Sequence, residues 1–390
     1  GLGDVYKRQI IFYSKTLLNS FHCFIDFYNH ILYNDVVGKR YFDPCIIFYT
    51  EGHFSMTTIQ DIADKMGISK SAVSKALNNA PDISENLRKQ VLETAVALGY
   101  TKLRRYRNSV RKICVLIEKD NIQYEEPYHF AYDIIMGFRQ LAEPQGFDVV
   151  IEPVDIQIQR NQPYDVYMLE HDYVGSFVIG FSLADPWLKD FENSCTPTVL
   201  YDNYITGNPA TAYVGIDNDE GMELAVSHLV RQGHRKIAYL SNSLGSQIIQ
   251  IRYSAFFRSM RKHGLKASYD NAGCSCFLSE CMEKHLPNFL KSGMTAIICS
   301  QDTIASAALV QCQQLGYRVP EDVSIVGFDD LPIAAYTSPP LTTIRQDRTE
   351  LGKSGFFALS SLLNHVSIST FLLHAQLIER KSTARISEKQ

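Results

Sequence analysis

Early in the chain, apolar residues recur with the spacing of an amphipathic helix. Four of them follow each other at intervals of three or four, which places them on one helix face: Ile59, Ile62, Ala63 and Met66. Thr57 or Thr58 can cap this helix, and Gly67, which tolerates a positive φ, predicts its end. Ser69 predicts the N-cap of a second helix that reaches about Leu77. The pattern therefore predicts a helix, a tight turn and a second helix.

The second predicted helix is short and mostly polar. Its inward positions are Val73, Ala76 and Leu77, and its outward positions are Lys70, Ser71, Ser74, Lys75 and Asn78. Pro81 and Asp82 end the helical pattern, and Ser84 predicts the cap of a third helix that stops at Gly99. The inward positions of the third helix are Leu87, Val91, Leu92, Ala95 and Leu98. Together these segments predict a small bundle of three helices.

Beyond Lys112, short apolar runs alternate with amphipathic stretches. The predicted buried strands are "ICVLIE", "FDVVIEPV", "GSFVIGF", "PTVLYD", "KIAYLS", "TAIICS" and "VSIVGFDD". Helical patterns such as "GMELAVSHLVRQG" lie between them. This alternation predicts an α/β core of two doubly wound lobes with parallel sheets, in which a ligand binds at the carboxyl ends of the strands, in the crevice between the lobes.

Charge separates the two parts. Residues 56–112 contain eleven Lys or Arg against five Asp or Glu, whereas residues 113–390 contain twenty-two against thirty-two. The basic part therefore suggests a polyanionic partner, with a solvated charged face as the simpler alternative. The nine cysteines are scattered, and the closest set, Cys274, Cys276 and Cys281, lacks a paired C-x-x-C and a nearby His cluster. We therefore expect reduced thiols in the cytoplasm, no metal site and no disulfide framework.

Residues 1–55 differ from the rest in composition, because thirteen of them are aromatic without a sustained helical or strand period. We expect a spurious or disordered upstream extension, with Met56 as the start of the protein. A membrane anchor is the alternative. His22, Asp26 and His30 interrupt the apolar run before it reaches the roughly 18–20 residues that a span needs, so we expect no membrane association.

A helix that enters the major groove of DNA needs cationic and hydrogen-bonding side chains near its N-terminus, and the second predicted helix has them. An exposed helix of an ordinary bundle is the alternative. The segment "TTIQDIADKMGISKSAVSKALNNAPDISENLRKQVLETAVALGY" resembles the DNA-binding headpiece of the lactose/galactose-repressor (LacI/GalR) family. The resemblance implies that Lys70, Ser71 and Lys75 read bases. It also implies that Ser69, Ser74 and Asn78 position the helix on phosphates, and Thr58 is expected to contact DNA as well. Ala72 stands where the family usually has Thr, so one backbone contact is expected to be missing.

The linker "TKLRRYRNSVRKICVLIE" departs from the family. It lacks the Pro-Asn-x-x-Ala-x-x-Leu hinge whose Leu kinks the duplex in relatives, and it is about four residues shorter. It carries instead several cationic residues, among them Arg104, Arg105 and Arg107. We expect these arginines to contact phosphates or a narrow minor groove, with milder bending of the DNA.

The resemblance continues over nearly all of residues 113–380, most clearly in "YVGIDNDEGMELAVSHLVRQGHRKIAYLS", "GYRVPEDVSIVGFDD" and "SPPLTTIRQD". It implies an effector site formed by His129, Phe130, Arg252, Gln301, Asp302 and Asp329. Gln301 stands where Asn is commoner in the family, which suggests an effector of different size. Lobe packing is the alternative role for His129 and Phe130, and helix capping for Asp329. Trp187 is expected to pack in the core.

These observations predict a domain order. The headpiece covers residues 56–101, a basic shortened linker 102–112, and the effector-binding core 113–390. We expect lobe 1 at about 113–216 and 336–366, and lobe 2 at about 217–335 and 367–390.

The predicted function is that of a cytoplasmic transcription regulator, a repressor that binds a double-stranded operator as a homodimer and responds to a small polar effector, with a sugar favoured. No cofactor is expected. A solute-binding protein is one alternative. An enzyme is the other, and it is disfavoured because the sequence has no G-x-S-x-G, no Walker loop and no G-x-G-x-x-G after a strand.

Overall fold

The computed structural model describes residues 57–100, 111–120, 123–201, 203–242 and 244–386. Three helices form the headpiece: α1 (Ile59–Met66), α2 (Lys70–Leu77) and α3 (Glu85–Ala97). Thr58, Ser69 and Ser84 cap them, each accepting a hydrogen bond from a backbone N–H three residues ahead. Gly67 has a φ of 66° and lets the chain turn between α1 and α2. The helix boundaries predicted from the sequence are confirmed.

The headpiece has its own apolar core, and this core extends to the surface of the first lobe. The buried residues contributed by the three helices are Ile62, Ala63, Val73, Ala76, Leu77, Val91, Leu92 and Ala95. Val166 and Leu169, from a helix of the first lobe, belong to the same cluster. The headpiece therefore buries part of its apolar surface against the core of the protein.

The first lobe is a six-stranded parallel sheet flanked by helices. Its strands are β1 (Arg111–Glu118), β2 (Phe147–Val154), β3 (Tyr173–Ile179), β4 (Thr198–Leu200), β5 (Thr211–Ile216) and β11 (Thr370–Leu373), in the order β11-β5-β4-β3-β1-β2. Its helices are α4 (Phe130–Ala142), α5 (Ile156–Asn161), α6 (Tyr164–Glu170), α7 (Trp187–Asp190) and α14 (Arg348–Leu363), with a 3₁₀ turn at Glu143–Gln145. Central strands are buried on both faces, as expected of a parallel sheet covered by helices.

The second lobe repeats this plan. Its strands are β6 (Ile237–Ser241), β7 (Ala272–Cys274), β8 (Ala296–Cys299), β9 (Ser324–Asp329), β10 (Thr342–Arg345) and β12 (Gln376–Ile378), in the order β12-β10-β9-β8-β6-β7. Only β12 runs antiparallel to its neighbour. The helical segments are α8 (Asn218–Arg231), α9 (Gln247–Lys262), a 3₁₀ turn (Tyr269–Asn271), α10 (Leu278–Glu280), a π-helical turn (Cys281–His285), α11 (Leu286–Lys291), α12 (Asp302–Gln314) and α13 (Pro332–Tyr336). The predicted fold class is confirmed in both lobes.

The lobe limits differ from those expected near the C-terminus. Strand β10 was expected in the first lobe but pairs with β9 of the second, and β11 was expected in the second lobe but pairs with β5 of the first. Within the described residues the chain crosses between the lobes three times: after β5, after β10 and after β11. Both misassigned strands have only four residues and no long apolar run. Pairing with strands that are distant in the chain, and not the local pattern, therefore determines which sheet each of them joins.

Trp187 packs in the first lobe, as predicted. Its side chain is fully buried, and its indole N–H donates to the carbonyl oxygen of Gln162 at 2.9 Å. The ring lies edge-on to Tyr164 at a centroid distance of 5.5 Å. A buried Trp whose N–H is hydrogen-bonded contributes to stability, and its one polar group is not available to a ligand. In the described part of the chain, no helix is long and apolar enough to cross a bilayer.

Two buried histidines attach the C-terminal segment to the second lobe. The Nε2 of His228 hydrogen-bonds the hydroxyl of Thr383 at 2.9 Å, and the Nε2 of His234 hydrogen-bonds the carbonyl oxygen of Ala384 at 3.1 Å. The other ring nitrogen of His234 bonds the hydroxyl of Thr295 at 2.9 Å. Burial lowers the pKa of both imidazoles below their usual value.

We expect the free energy of unfolding to decrease as the pH falls below about 6.5. In that range His228 and His234 bind fewer protons in the folded protein than in the unfolded chain, because burial lowers their pKa, so acid favours unfolding. Urea unfolding at pH 7.5 and 5.5 measures the effect. His234→Gln should reduce the decrease by up to about 1 kcal/mol. The exposed His374 gives the control variant His374→Gln, and an equal reduction there would contradict the assignment.

Candidate DNA-binding surface and ligand crevice

Helix α2 presents a polar face because its apolar residues are used inside the headpiece. Val73 is completely buried, whereas Lys70, Ser71, Lys75 and Asn78 are exposed. The predicted base-reading residues therefore lie together on one accessible face of one helix. The side chains of Thr58 and Ser69 serve as helix caps, and Ser74 is half-buried beside Asn78, whose amide donates to its hydroxyl at 3.4 Å. The roles of all these residues in DNA binding stay predictions.

The predicted linker contacts cannot be placed in the same way. Arg104, Arg105 and Arg107 lie outside the described residues. The first described residue after them, Arg111, stacks its guanidinium on the ring of Phe147 at 4.3 Å from the centroid. Strand β1 starts there, so the basic linker leads directly into the central part of the first sheet.

Arg252 is the centre of a buried polar cluster in the second lobe. Its Nε donates to the side-chain oxygen of Asn218 at 2.8 Å, and its Nη1 donates to the carbonyl oxygen of Ser300 at 2.8 Å and to Asp329 at 3.2 Å. The guanidinium lies 3.8 Å from the ring centroid of Phe328. Only 2% of Arg252 is exposed, so its charge is balanced by protein groups and not by water.

Asp329 connects this cluster to the first lobe. It ends β9 with a φ of 114°, a strained conformation for a residue other than Gly. Its Oδ1 accepts a hydrogen bond from the amide of Gln346 at 2.6 Å, and the Oε1 of Gln346 accepts one from the hydroxyl of Tyr201 at 3.1 Å. Tyr201 in turn lies 5.8 Å from the ring of Phe130. Burial raises the pKa of Asp329, and the Arg252 charge opposes that rise.

Asp302 lies deeper than expected of a residue that contacts a ligand. It is fully buried, and its two carboxyl oxygens accept hydrogen bonds from the hydroxyl of Thr343 at 2.6 Å and from the backbone N–H of Leu331 at 2.7 Å. Burial, together with the nearby negative charge of Asp329, raises the pKa of Asp302 to about 8. In this structure Asp302 fixes the backbone that follows β9, at the carboxyl edge of the sheet.

The remaining predicted effector residues make separate contacts. The Nδ1 of His129 accepts a hydrogen bond from the backbone N–H of Glu126 at 3.0 Å and lies 3.3 Å from the carboxylate of Glu125. Gln301 accepts a hydrogen bond from the amide of Asn242 at 3.2 Å. The structure thus joins Arg252 directly to Asp329, while their effector-binding role, like that of the other predicted residues, stays a prediction.

Sequence reasoning missed several polar residues at the crevice. Asn218 follows β5, Ser300 follows β8 and Gln346 follows β10, so each comes directly after the carboxyl end of a strand or one residue later. Their position after a strand could have identified them from the sequence, because ligands of open α/β sheets bind at the carboxyl edge. Hydrogen bonds also cross between the lobes, from the N–H of Leu183 to the carbonyl oxygen of Gly245 at 3.0 Å and from the N–H of Gln247 to the side-chain oxygen of Asn203 at 3.2 Å.

The side chains at these strand ends therefore include amides, carboxylates and the Arg252 guanidinium, which suits hydrogen bonding to a polar ligand. Within the described ranges, no group of three or more His, Cys, Asp or Glu side chains is arranged to hold a metal ion.

Two family models match the chain. Residues 58–102 match the model of bacterial regulatory proteins of the lacI family, and residues 226–383 match a periplasmic binding protein-like domain. The chain is 29% identical over 344 residues to the HTH-type transcriptional repressor PurR of Aliivibrio salmonicida, covering 85% of this chain and 100% of that protein. It is 28% identical over 335 residues to the HTH-type transcriptional repressor CytR of Escherichia coli K12, covering 84% and 96%.

Solved structures support the same fold. The transcriptional regulator CelR in complex with cellobiose superposes with a TM-score of 0.61 at 22% identity, covering 84% of this chain and 99% of that one. The lac repressor dimer bound to operator and the anti-inducer ONPF superposes with a TM-score of 0.57, also at 22% identity and with the same coverage.

A helix-turn-helix headpiece followed by a two-lobed core with a polar crevice defines a ligand-responsive DNA-binding regulator. The chain carries a DNA-binding domain of the lacI family of bacterial regulatory proteins and a periplasmic binding protein-like domain. It is a transcriptional regulator and not an enzyme, and the alternative of a solute-binding protein without a regulatory role is set aside.

Proposed function

We propose that this protein represses transcription by binding a pseudo-palindromic operator as a homodimer, with one α2 helix in the major groove of each half-site. Lys70, Ser71 and Lys75 would contact base edges, and the positioning contacts to phosphates would come from Thr58, Ser69, Ser74 and Asn78. The observation that carries this proposal is the accessible polar face of α2, which is held in place by the fully buried Val73.

The dimer is supported by apolar residues that the single chain leaves in solvent. Val310 on α12 and the α13 residues Ile333 and Tyr336 are exposed, Tyr336 by 87%. The two helices are neighbours, because the amide of Gln313 on α12 donates to the carbonyl oxygen of Ser338 just after α13 at 3.0 Å. A second copy would cover this surface. Because the operator is chromosomal, we place the protein in the cytoplasm.

The effector of this proposal is a small neutral molecule rich in hydroxyl groups, with a sugar as the first candidate. Carboxylate, amide and guanidinium groups at the strand ends can bond hydroxyls in both directions, since they include donors and acceptors. CelR was solved with cellobiose, and a LacI family regulator from Enterococcus faecium with ribose. Those ligands belong to those proteins and guide the choice of compounds to test here.

Closure of the crevice around the effector would bias two arrangements of the lobes. Gln346 lies on the crossover after β10 and touches Asp329 of the second lobe and Tyr201 of the first. A ligand that competes for Asp329 would therefore alter a direct connection between the lobes. The first lobe packs against α3 of the headpiece through α6, which offers a route from the crevice to the DNA-binding surface.

The test is a gel-shift titration of the protein with DNA from its own promoter region, repeated with a panel of sugars and nucleobases. Salt-sensitive, sequence-selective binding that one compound changes at least about tenfold is expected. Sedimentation of the same sample should give a dimer. The absence of any sequence preference in the wild-type protein would refute the proposal.

A further inference from the structure

The loop after α2 brings an acidic residue back to the DNA-binding face. Helix α2 ends at Leu77, and Asn79 adopts a left-handed conformation with a φ of 54°. The backbone N–H of Ala80 then donates to the carbonyl oxygen of Lys75, five residues earlier, at 3.0 Å, a bond of the type that reverses a chain at a helix end. Pro81 follows and fixes one further φ. The position of Asp82 is therefore set by backbone hydrogen bonding and not by chance.

The carboxylate of Asp82 forms an ion pair with the ammonium of Lys75, the residue proposed to read bases. Both side chains are about half exposed, 49% for Lys75 and 54% for Asp82, so the pair lies at the surface where DNA would approach. The Lys75 ammonium lowers the pKa of Asp82, which is consistent with this contact. A carboxylate at this surface weakens the attraction of the headpiece to DNA phosphates. Asp82 therefore does not serve to increase the affinity for DNA, and another role must explain its position.

We propose that Asp82 is a specificity-determining residue that positions Lys75 for a G·C base pair; this inference rests on the proposed operator binding. A lysine ammonium is a point charge on a flexible stem, so an unrestrained Lys75 would contact any nearby phosphate. Held by Asp82, it stays above the groove, where lysine donates to guanine O6 and N7.

The experiment compares wild type, Asp82→Asn, Lys75→Ala and the double variant on operator and on unrelated DNA over a range of salt concentrations. Asp82→Asn should tighten binding to unrelated DNA about three- to tenfold and steepen the salt dependence by about one unit, because Lys75 becomes free to neutralise a phosphate. The preference for operator should fall about tenfold. In the Lys75→Ala background, Asp82→Asn should leave that preference unchanged, since the double-mutant cycle isolates their coupling.

Asp64→Asn is the matched control. Asp64 is exposed in the same headpiece; Gln60 bonds it at 2.7 Å, and no cation among the described residues pairs with it. Removing its charge tests the general effect of one negative charge on DNA affinity. Equal changes in operator preference for Asp82→Asn and Asp64→Asn would overturn the inference, as would an undiminished effect of Asp82→Asn in the Lys75→Ala background. If wild type itself shows no operator preference, the proposed function fails instead. Thermal unfolding of each variant checks that the headpiece remains folded.

Discussion

Arg252→Ala is expected to abolish the response of operator binding to the effector and to destabilise the second lobe. The guanidinium bonds Asn218, the carbonyl oxygen of Ser300 and Asp329, and it stacks on Phe328. Truncation would leave Asp329 buried without its cation, which typically costs about 3–5 kcal/mol. Among the contacts described for the Asp329 side chain, Arg252 is the cation that bonds it. The substitution would therefore change both the charge and the hydrogen-bond donors available to a ligand at Asp329. Urea unfolding measures the first effect, and gel shifts with and without effector the second.

Two further variants separate stability from recognition. In Arg252→Ala/Asp329→Asn the uncompensated charge is gone, so we expect most of the lost stability to return while the effector response stays absent. Arg258→Ala is the matched control on the same helix, because Arg258 pairs with Asp219 at the surface, where such pairs contribute about 0–1 kcal/mol. An effector response that survives Arg252→Ala in a folded protein would assign Arg252 a purely structural role.

The headpiece could be predicted almost completely because its determinants are local. The cap at Ser69, the turn at Gly67 and the buried position of Val73 all depend on residues within one or two helical turns. A capping side chain needs a partner three residues ahead, and a positive φ favours a glycine at that single position. Such features are visible in the order of residues, so helix boundaries matched the structure closely.

The crevice was predicted less completely because its contacts join residues that are far apart in the chain. Arg252 and Asp329 were both expected at the site, but the sequence does not show that they pair across 77 residues, or that Gln346 connects them to Tyr201 in the other lobe. The same reason explains the misplaced strands β10 and β11, whose partners lie in segments separated by helices. Side chains that follow strand ends identify the edge of the sheet, and the tertiary fold then decides which of them meet.

Val73→Asp is expected to eliminate operator binding while leaving effector binding in place. Val73 is fully buried in the headpiece between the helices that pack around it. A carboxylate there would have no cationic partner among the apolar residues of that cluster, so the cost is expected to reach about 4 kcal/mol. A unit of this size has little stability to lose, since folding contributes only about 0.05–0.15 kcal/mol per residue. We expect the headpiece to unfold and operator affinity to fall at least about a hundredfold in a gel-shift titration.

The control for this change is Asn86→Asp, which adds the same charge at an exposed position in the first turn of α3, where a carboxylate suits the helix. It should retain the fold and lose operator affinity by no more than about threefold, through repulsion of phosphates.

Calorimetric titration with the effector tests the other half of the prediction. The polar crevice residues lie at strand ends of the two lobes, whereas Val166 and Leu169 of α6 join the apolar core of the headpiece, so effector affinity should be unchanged. Loss of effector binding in Val73→Asp would mean that headpiece and core unfold together, and the contact through α6 would then be essential to the first lobe.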